Sequence, residues 1–432
     1  MEFGLAFLFF LLCFLIATSF FLSSNEELPL FVTLYTGLVL VRLYLLQKGE
    51  VDWVNFDYGI YFEFNMDLAY HVGSLIILGT VVLVSSYFFF YKQPPPVKRG
   101  SSTLLKQFLQ QKKMLIIVLF GLFFLFQLTF GHSLSHGYAT DLTLANSAFI
   151  VLLFFLFYTS QTSNFQKILF ALFTGVLAYS TYSSENRFQF LGWAIPIIFL
   201  LLHGKKASQK LLPLILGTVV ILVFFSMART LRSEEVQEAS FEEKYAAGFD
   251  RLLDFEDINF IDGFMMLYQV YPEYLDFGYG MDHLAILFRP IPRAFWPGKP
   301  RAGWHQKYAE KYNFGESYAA GFSPTLYGVF YGEGGVLAII LFSILWGWFL
   351  ARLSFFCNSY GPDLAAVLKG ILLASLIPIL RSGDLAGDVA VVCMSFWPIF
   401  IFVYLYNKFL KKEAFKQINI ERMVAKQRRN FS

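Results

Sequence analysis

Long apolar runs alternate with short polar segments along this chain. A helix needs about 20 apolar residues to cross the hydrocarbon core of a bilayer. Eleven runs approach or exceed that length, at 3–22, 28–46, 67–91, 114–131, 144–160, 167–183, 188–203, 211–228, 328–352, 363–380 and 389–407. The pattern predicts an all-α polytopic membrane protein with about 11 transmembrane helices.

Composition supports this interpretation. Only 15% of the 432 residues are charged, whereas about 25% is usual for soluble domains. Cys13, Cys357 and Cys393 lie in or beside apolar runs without metal-ligand spacing, so we interpret them as small apolar fillers. The first run lacks a basic segment before it and a small-residue cleavage site after it, so we expect a retained span rather than a signal peptide.

Basic residues predict the orientation, because short loops rich in Lys and Arg stay in the cytoplasm. With eleven spans, the basic segments 91–114 and 203–210 and the tail after 407 fall on one side. We therefore expect these three segments in the cytoplasm and the other loops outside. Those outer loops are 47–66, 132–143, 184–187, 381–388 and the long segment 229–325.

The long segment contains helix signals. Ser240 and Glu243 form a capping box, which opens an amphipathic run with Phe241, Tyr245, Phe249 and Leu252 on one face; a second run covers 258–268. We expect a folded helical domain lying over the bundle. The predicted organisation is therefore an N-terminal bundle of about eight helices (1–228), an extracytoplasmic loop domain (229–325), three C-terminal transmembrane helices (326–407) and a basic cytoplasmic tail (408–432).

Cationic side chains recur on the predicted outer side, against the usual tendency. Because Arg presents a planar fork of donors to phosphate oxygens, the set suits an anionic headgroup, above all a pyrophosphate. The alternative is that these side chains reach lipid phosphates or pair with Glu185, Asp384 or Asp388. The candidate pyrophosphate-binding residues are Arg187, Arg229, Arg289, Arg293, Lys299 and Arg381.

Aromatic residues and possible bases accompany these cations. Four aromatic side chains could stack on sugar rings, although interfacial Trp and Tyr belts are common; they are Trp296, Trp304, Tyr308 and Tyr312. For a general base we consider His305 first, then His283 and Glu310, with Asp384 as a further catalytic carboxylate. His305 has no orienting carboxylate at helical spacing, which leaves an ordinary surface histidine as the alternative.

Several catalytic motifs are missing from the sequence. It contains no P-loop, no HExxH, no GxSxG and no plausible set of zinc ligands. A large outer domain also lies where nucleotides are scarce. If the chain is an enzyme, its substrate should be membrane-borne and already activated. A sugar linked to polyprenyl pyrophosphate meets both demands.

Two stretches resemble the bacterial oligosaccharide repeat-unit polymerases, the O-antigen (Wzy-type) polymerase superfamily. They are "FGYGMDHLAILFRPIPRAFWPGKP" and "GFSPTLYGVFYGEGGVLAIILF". The first carries a Pro-Arg-x-x-Trp-Pro-x-Lys-Pro motif and the second a Ser-containing segment entering a Gly-punctuated span. An upstream Arg and a late Arg-Gly-Asp-like element complete the pattern. The matching residues are Pro292, Arg293, Trp296, Pro297, Lys299, Pro300, Ser323, Gly328, Gly335, Arg187, Arg381, Gly383 and Asp384.

The sequence departs from that pattern at three places. Ser382 is inserted in the late element, Val329 stands where Glu is usual, and Gly-Glu-Gly replaces a frequent Asn-Phe-Gly at 332–334. The departures at Val329 and 332–334 concern the start of one span, and Ser382 lies in the outer loop 381–388. The sharp part of the resemblance covers only the two quoted stretches.

The resemblance implies an all-helical, GT-C-like glycosyltransferase in the cytoplasmic (inner) membrane of a bacterium, with its active site facing the periplasm or the outside. It would transfer a growing glycan from undecaprenyl pyrophosphate onto a new lipid-linked repeat unit, without a metal or other cofactor. The implied partners are that lipid-linked oligosaccharide, membrane lipids and a chain-length regulator protein, with no nucleic acid. Two alternatives stay open: an O-antigen ligase of the same superfamily, and a transporter or flippase for an anionic lipid-linked sugar.

Overall fold

A computed structural model describes most of the chain. The described parts are 3–53, 61–93, 100–130, 145–159, 187–202, 204–206, 260–289, 291, 295–296, 298–299, 303–312 and 323–430, with single residues at 168, 172, 175 and 209. These parts are all-helical. Their helices are α1 (Phe3–Ser24), α2 (Leu28–Lys48), α3 (Met66–Phe90), α4 (Ser102–Phe130), α5 (Asn146–Thr159), α6 (Arg187–Leu202), α7 (Phe260–Val270), α8 (Met281–Phe288), α9 (Trp304–Lys311), α10 (Thr325–Asn358), α11 (Pro362–Arg381) and α12 (Leu385–Asn430).

Within the described residues, six helices are long and apolar enough to cross a membrane: α1, α2, α3, α10, α11 and α12. Shorter apolar helices occur at 146–156, 188–202 and 260–270. The chain is thus a helical multi-pass membrane protein. The predicted count of about 11 is not confirmed, and the predicted spans 167–183 and 211–228 lie almost entirely outside the described residues.

Helices α3 and α10 pack closely at the centre of the bundle. A Cβ on Gly347 would lie 2.4 Å from the carbonyl oxygen of Leu83, so only glycine allows this approach. Small residues are the usual means by which membrane helices come together. The Thr80 hydroxyl donates to the Tyr327 hydroxyl at 2.9 Å and lies 2.7 Å from that of Thr36, which adds α2 to the pair.

The turns between helices gather at two ends. At one end, a Cβ on Gly361 would meet the carbonyl oxygen of Gly100 at 2.9 Å, and the hydroxyl of Tyr360 donates to Asn407 at 3.1 Å. At the other end, the Glu63 amide donates to Gln269 at 2.8 Å. Gly100 belongs to a predicted cytoplasmic segment, whereas Glu63 and Gln269 belong to two predicted outer segments. The orientation of the bundle in the membrane stays a prediction.

Helix α7 confirms the second amphipathic run as a helix and shows where it packs. Its residues are largely buried, and it lies among α2, α3 and α10 inside the bundle. The first run, with Phe241, Tyr245, Phe249 and Leu252, lies outside the described residues. Helix α12 continues past Asn407 to Asn430, so most of the predicted tail extends this helix.

Candidate functional site

Three segments that are distant in sequence meet at one end of the bundle. They are the end of α8 with Arg289, the start of α9 with His305, and the turn before α12 with Asp384. The Nη1 of Arg289 lies 3.7 Å from the Oδ2 of Asp384. Two of the predicted cationic and catalytic residues are therefore direct neighbours.

Gly303 brings α9 against the turn before α12. It has a φ of +87°, a conformation that glycine adopts without strain, and a Cβ there would lie 3.1 Å from the carbonyl oxygen of Gly383. The same Cβ would be 3.2 Å from the Cβ of Asp384 and 3.2 Å from the Cε1 of His305. The absence of a side chain at this position is what lets His305 and Asp384 come close.

Asp384 has two roles in this turn. Its Oδ1 accepts a hydrogen bond from the Gly387 amide at 2.9 Å, while its main-chain carbonyl accepts from Asp388 at 2.9 Å. This is the geometry of an N-cap on the first turn of α12. Because capping holds Oδ1 in place, Oδ2 is presented to Arg289.

His305 is buried, with 7% of its surface exposed, and its Nδ1 has no hydrogen-bond partner among the described residues. Burial lowers the pKa of this imidazole, and the nearby charge of Asp384 raises it in part. The ring is therefore neutral near pH 7 and can accept a proton. Asp384, in the turn before α12, acts on this ring through its charge and not through a hydrogen bond to Nδ1.

His283 has a different environment. Its Nδ1 lies 3.3 Å from Oε1 of Glu333, and its Nε2 accepts from the indole N–H of Trp346 at 3.3 Å. The ring also stacks on Phe342 with 3.8 Å between centroids. These contacts fit a neutral tautomer with the proton on Nδ1 and engage both nitrogens. Glu310, the third candidate base, lies exposed on α9.

Among the other predicted pyrophosphate-binding residues, the structure describes the side chains of Lys299 and Arg381. The ammonium of Lys299 donates to the carbonyls of Arg289 at 3.3 Å and Ile291 at 2.8 Å, and so holds the C-terminal end of α8. Arg381 ends α11 with its guanidinium 5.9 Å from the ring centre of Phe260, within cation–π range. The Arg187 side chain and the whole of Arg229 and Arg293 lie outside the described residues.

The predicted sugar-binding aromatics differ in exposure. Trp304 and Tyr308 are each 2% exposed and belong to the core, whereas Tyr312 is 40% exposed. The hydroxyl of Tyr312 donates to the carbonyl of Tyr274 at 3.2 Å. Trp296 is partly exposed and meets Phe288 edge-on, with 5.4 Å between centroids. Tyr312 and Trp296 are therefore the two candidates that solvent can reach in this structure.

A small cavity of about 10 Å³ lies beneath the site, close to the least volume that holds one water molecule. Its lining includes residues of the turn before α12 together with residues of the buried core. The lining residues are Leu267, Tyr271, Asp282, Gly303, Trp304, Val329, Gly332, Gly383 and Leu385.

The sequence patterns did not identify two buried carboxylates near this cavity, those of Asp282 and Glu333. The Nζ of Lys307 lies 2.7 Å from the Oδ1 of Asp282, which is 6% exposed. Burial raises the pKa of the Asp282 carboxyl, and Lys307 counteracts that effect. Glu333, also missed, is 2% exposed in a helix of a membrane protein. A carboxylate within a membrane-spanning apolar run is energetically unfavourable and usually has a function, and this is the signal in the sequence that could have identified Glu333.

Among the described residues, no group of three or more His, Cys, Asp or Glu is placed to hold a metal ion. In comparisons with known proteins, no family model matches the chain, and no curated protein or solved structure matches it either. The fold thus defines the class of protein, a helical multi-pass membrane protein. Its activity has to be argued from the site.

Proposed function

We propose that the protein is a membrane glycosyltransferase that polymerises oligosaccharide repeat units linked to undecaprenyl pyrophosphate. The product is O-antigen, capsule or exopolysaccharide, made at the outer face of the cytoplasmic membrane. One observation carries the proposal: a partly exposed arginine, a carboxylate and a neutral buried histidine meet at one end of the bundle, the end opposite Gly100 and Gly361. The resemblance in the two quoted stretches supports it.

Arg289 provides the site for the donor. Its side chain is 41% exposed, so a phosphate at the membrane surface can approach its guanidinium. The transferred sugar leaves pyrophosphate behind, and negative charge grows on the departing oxygen in the transition state. Positioned cations stabilise that charge, and Arg381 at the end of α11 adds a second guanidinium at the same end.

The acceptor side uses His305. A hydroxyl of the acceptor sugar attacks the anomeric carbon of the donor, and the bond from that carbon to the pyrophosphate oxygen breaks. A ring nitrogen of His305 takes the hydroxyl proton, and the charge of Asp384 stabilises the imidazolium that forms. Because the imidazole is largely buried, the transfer proceeds away from bulk water.

The test uses the purified full-length protein in lipid nanodiscs with lipid-linked repeat units isolated from the source organism. We expect products that form a ladder, each longer by one repeat unit, and a loss of the ladder in Arg289→Ala. Arg352→Ala is a matched control, because Arg352 is exposed near the C-terminal end of α10 and its guanidinium lies 6.0 Å from the Trp348 ring centre.

Other outcomes identify the alternatives. A single transfer onto a lipid A–core acceptor, without a ladder, indicates the ligase. Movement of the lipid-linked sugar across a vesicle membrane, without a new glycosidic bond, indicates a transporter. Either result contradicts the polymerase proposal.

A further inference from the structure

Helix α10 is interrupted within its first third. Gly334 and Gly335 leave helical geometry, and Gly335 has a φ of +68° with a ψ of −153°, which an L side chain rarely adopts. The carbonyls of Gly332 and Glu333, just before the break, accept the amides of Gly278 and Tyr279 at 2.9 Å each. The break therefore serves as an attachment point for the segment that leads into α8.

The side chain of Glu333 completes that attachment. It is 2% exposed, and its Oε2 accepts from the Gly280 amide at 2.5 Å. Its Oε1 accepts from the amides of Asp282 at 2.8 Å and His283 at 3.3 Å. A carboxylate at a helix N-terminus satisfies amides that have no partner within the helix and is favoured by the helix dipole. These bonds offset the cost of burying its charge.

Two connections lead from this carboxylate to the candidate site. Helix α8 starts on Glu333 and ends at Arg289, which faces Asp384. Asp282, in the first turn of α8, pairs with Lys307 of α9, two residues beyond His305. The placement of both α8 and α9 therefore depends on the same buried group.

We propose that Glu333 is a positioning residue that holds α8 and α9 so that Arg289 and His305 face Asp384; its effect on turnover rests on the proposed function. The carboxylate itself touches no reacting group. Its charge is essential, because a neutral amide at this position would turn an N–H group toward backbone N–H groups.

The main variant is Glu333→Gln, which preserves shape and removes charge. Hydrogen exchange measured by mass spectrometry reports on segments 278–289 and 303–312 without requiring any activity. We expect amides in both segments to exchange about tenfold faster or more, because their opening becomes easier. In the polymerisation assay we expect kcat to fall about tenfold or more, with a smaller change in KM for the donor.

Two further variants separate positioning from general stability. Glu26→Gln is the matched control: Glu26 is also 2% exposed, accepts from Ser354 at 2.9 Å and Asn358 at 2.8 Å, and lies near the opposite end of the bundle. It should lower the unfolding temperature but leave exchange in the two segments and kcat unchanged. Glu333→Asp keeps the charge on a shorter side chain and should restore part of both losses.

The outcomes separate this inference from the proposed function. If wild-type protein polymerises nothing, the proposed function fails, and exchange in Glu333→Gln still decides whether Glu333 holds the two helices. Unchanged exchange in that variant overturns the inference. So does faster exchange with wild-type kcat, or an equal loss of kcat in Glu26→Gln.

Discussion

Arg42 and Asp262 form an ion pair inside the helical bundle. The Nε of Arg42 lies 3.1 Å from the Oδ2 of Asp262, and the two side chains are 1% and 0% exposed. A terminal nitrogen of the guanidinium also donates to the carbonyl of Asp52 at 2.7 Å. The pair joins α2 to α7 and fixes the buried helix that leads into the candidate site.

Breaking this pair should destabilise the protein strongly. Asp262→Ala leaves the Arg42 charge buried without its partner, which costs about 3–5 kcal/mol in comparable cases. We expect a clear fall in the unfolding temperature in detergent. The double variant Arg42→Met with Asp262→Leu should recover most of the loss, since neither charge is then buried. An unchanged unfolding temperature in Asp262→Ala would refute this account.

The close contact of α3 and α10 gives a second stability prediction. The Cβ of Gly347→Ala would approach the Leu83 carbonyl oxygen to 2.4 Å, and a backbone atom cannot rotate away. We expect a loss of about 1–3 kcal/mol from overpacking. In the control Gly121→Ala nothing lies within 4 Å of the new Cβ. The free energy of unfolding should therefore stay the same or rise by up to about 1 kcal/mol.

Replacing arginine by lysine tests the proposed pyrophosphate site. A lysine keeps the charge but loses the bidentate fork, so Arg187→Lys, Arg293→Lys and Arg381→Lys should each slow chain extension about tenfold or more. Folded yield should hardly change. Arg352→Lys serves as the control and should extend chains normally. Wild-type polymer length in all three test variants would exclude a shared pyrophosphate role.

The fourth prediction concerns the pH dependence of His305. Burial lowers its pKa below the usual 6.5, so the unfolded chain binds this proton more readily than the folded protein. The associated stability is present above pH 6.5 and is lost as the pH falls below it. Activity that needs the neutral ring should decline over the same acidic range. His305→Ala should cost about 10²–10⁴-fold in kcat.

A carboxylate variant checks the cause of that shift. Asp384 raises the pKa of His305 in part, so Asp384→Asn should move the acidic limb of the kcat profile to lower pH. A shift to higher pH would contradict the electrostatic assignment. Loss of the acidic limb in His305→Ala, measured from the residual activity, would tie that limb to this imidazole.

The sequence predicted well those features that depend on one continuous segment of the chain. Apolar runs identified α1, α2 and α3 within a few residues of their observed bounds, because spanning length is a property of one segment. The same holds for α11, whose predicted span 363–380 lies inside the observed Pro362–Arg381. Helix α12 extends beyond its predicted apolar limit, because a helix can continue into water with polar residues.

What the tertiary structure decided is which faces meet. The spacing of Trp304, Tyr308 and Tyr312 predicts one helical stripe, yet only packing shows that the first two are buried in the core. The proximity of His305 to Asp384 and the contacts of Glu333 with the first turn of α8 likewise join residues far apart in the chain. By itself the sequence determined the class of protein and the residue types available for chemistry. Their arrangement depended on long-range helix packing, which no local pattern encodes.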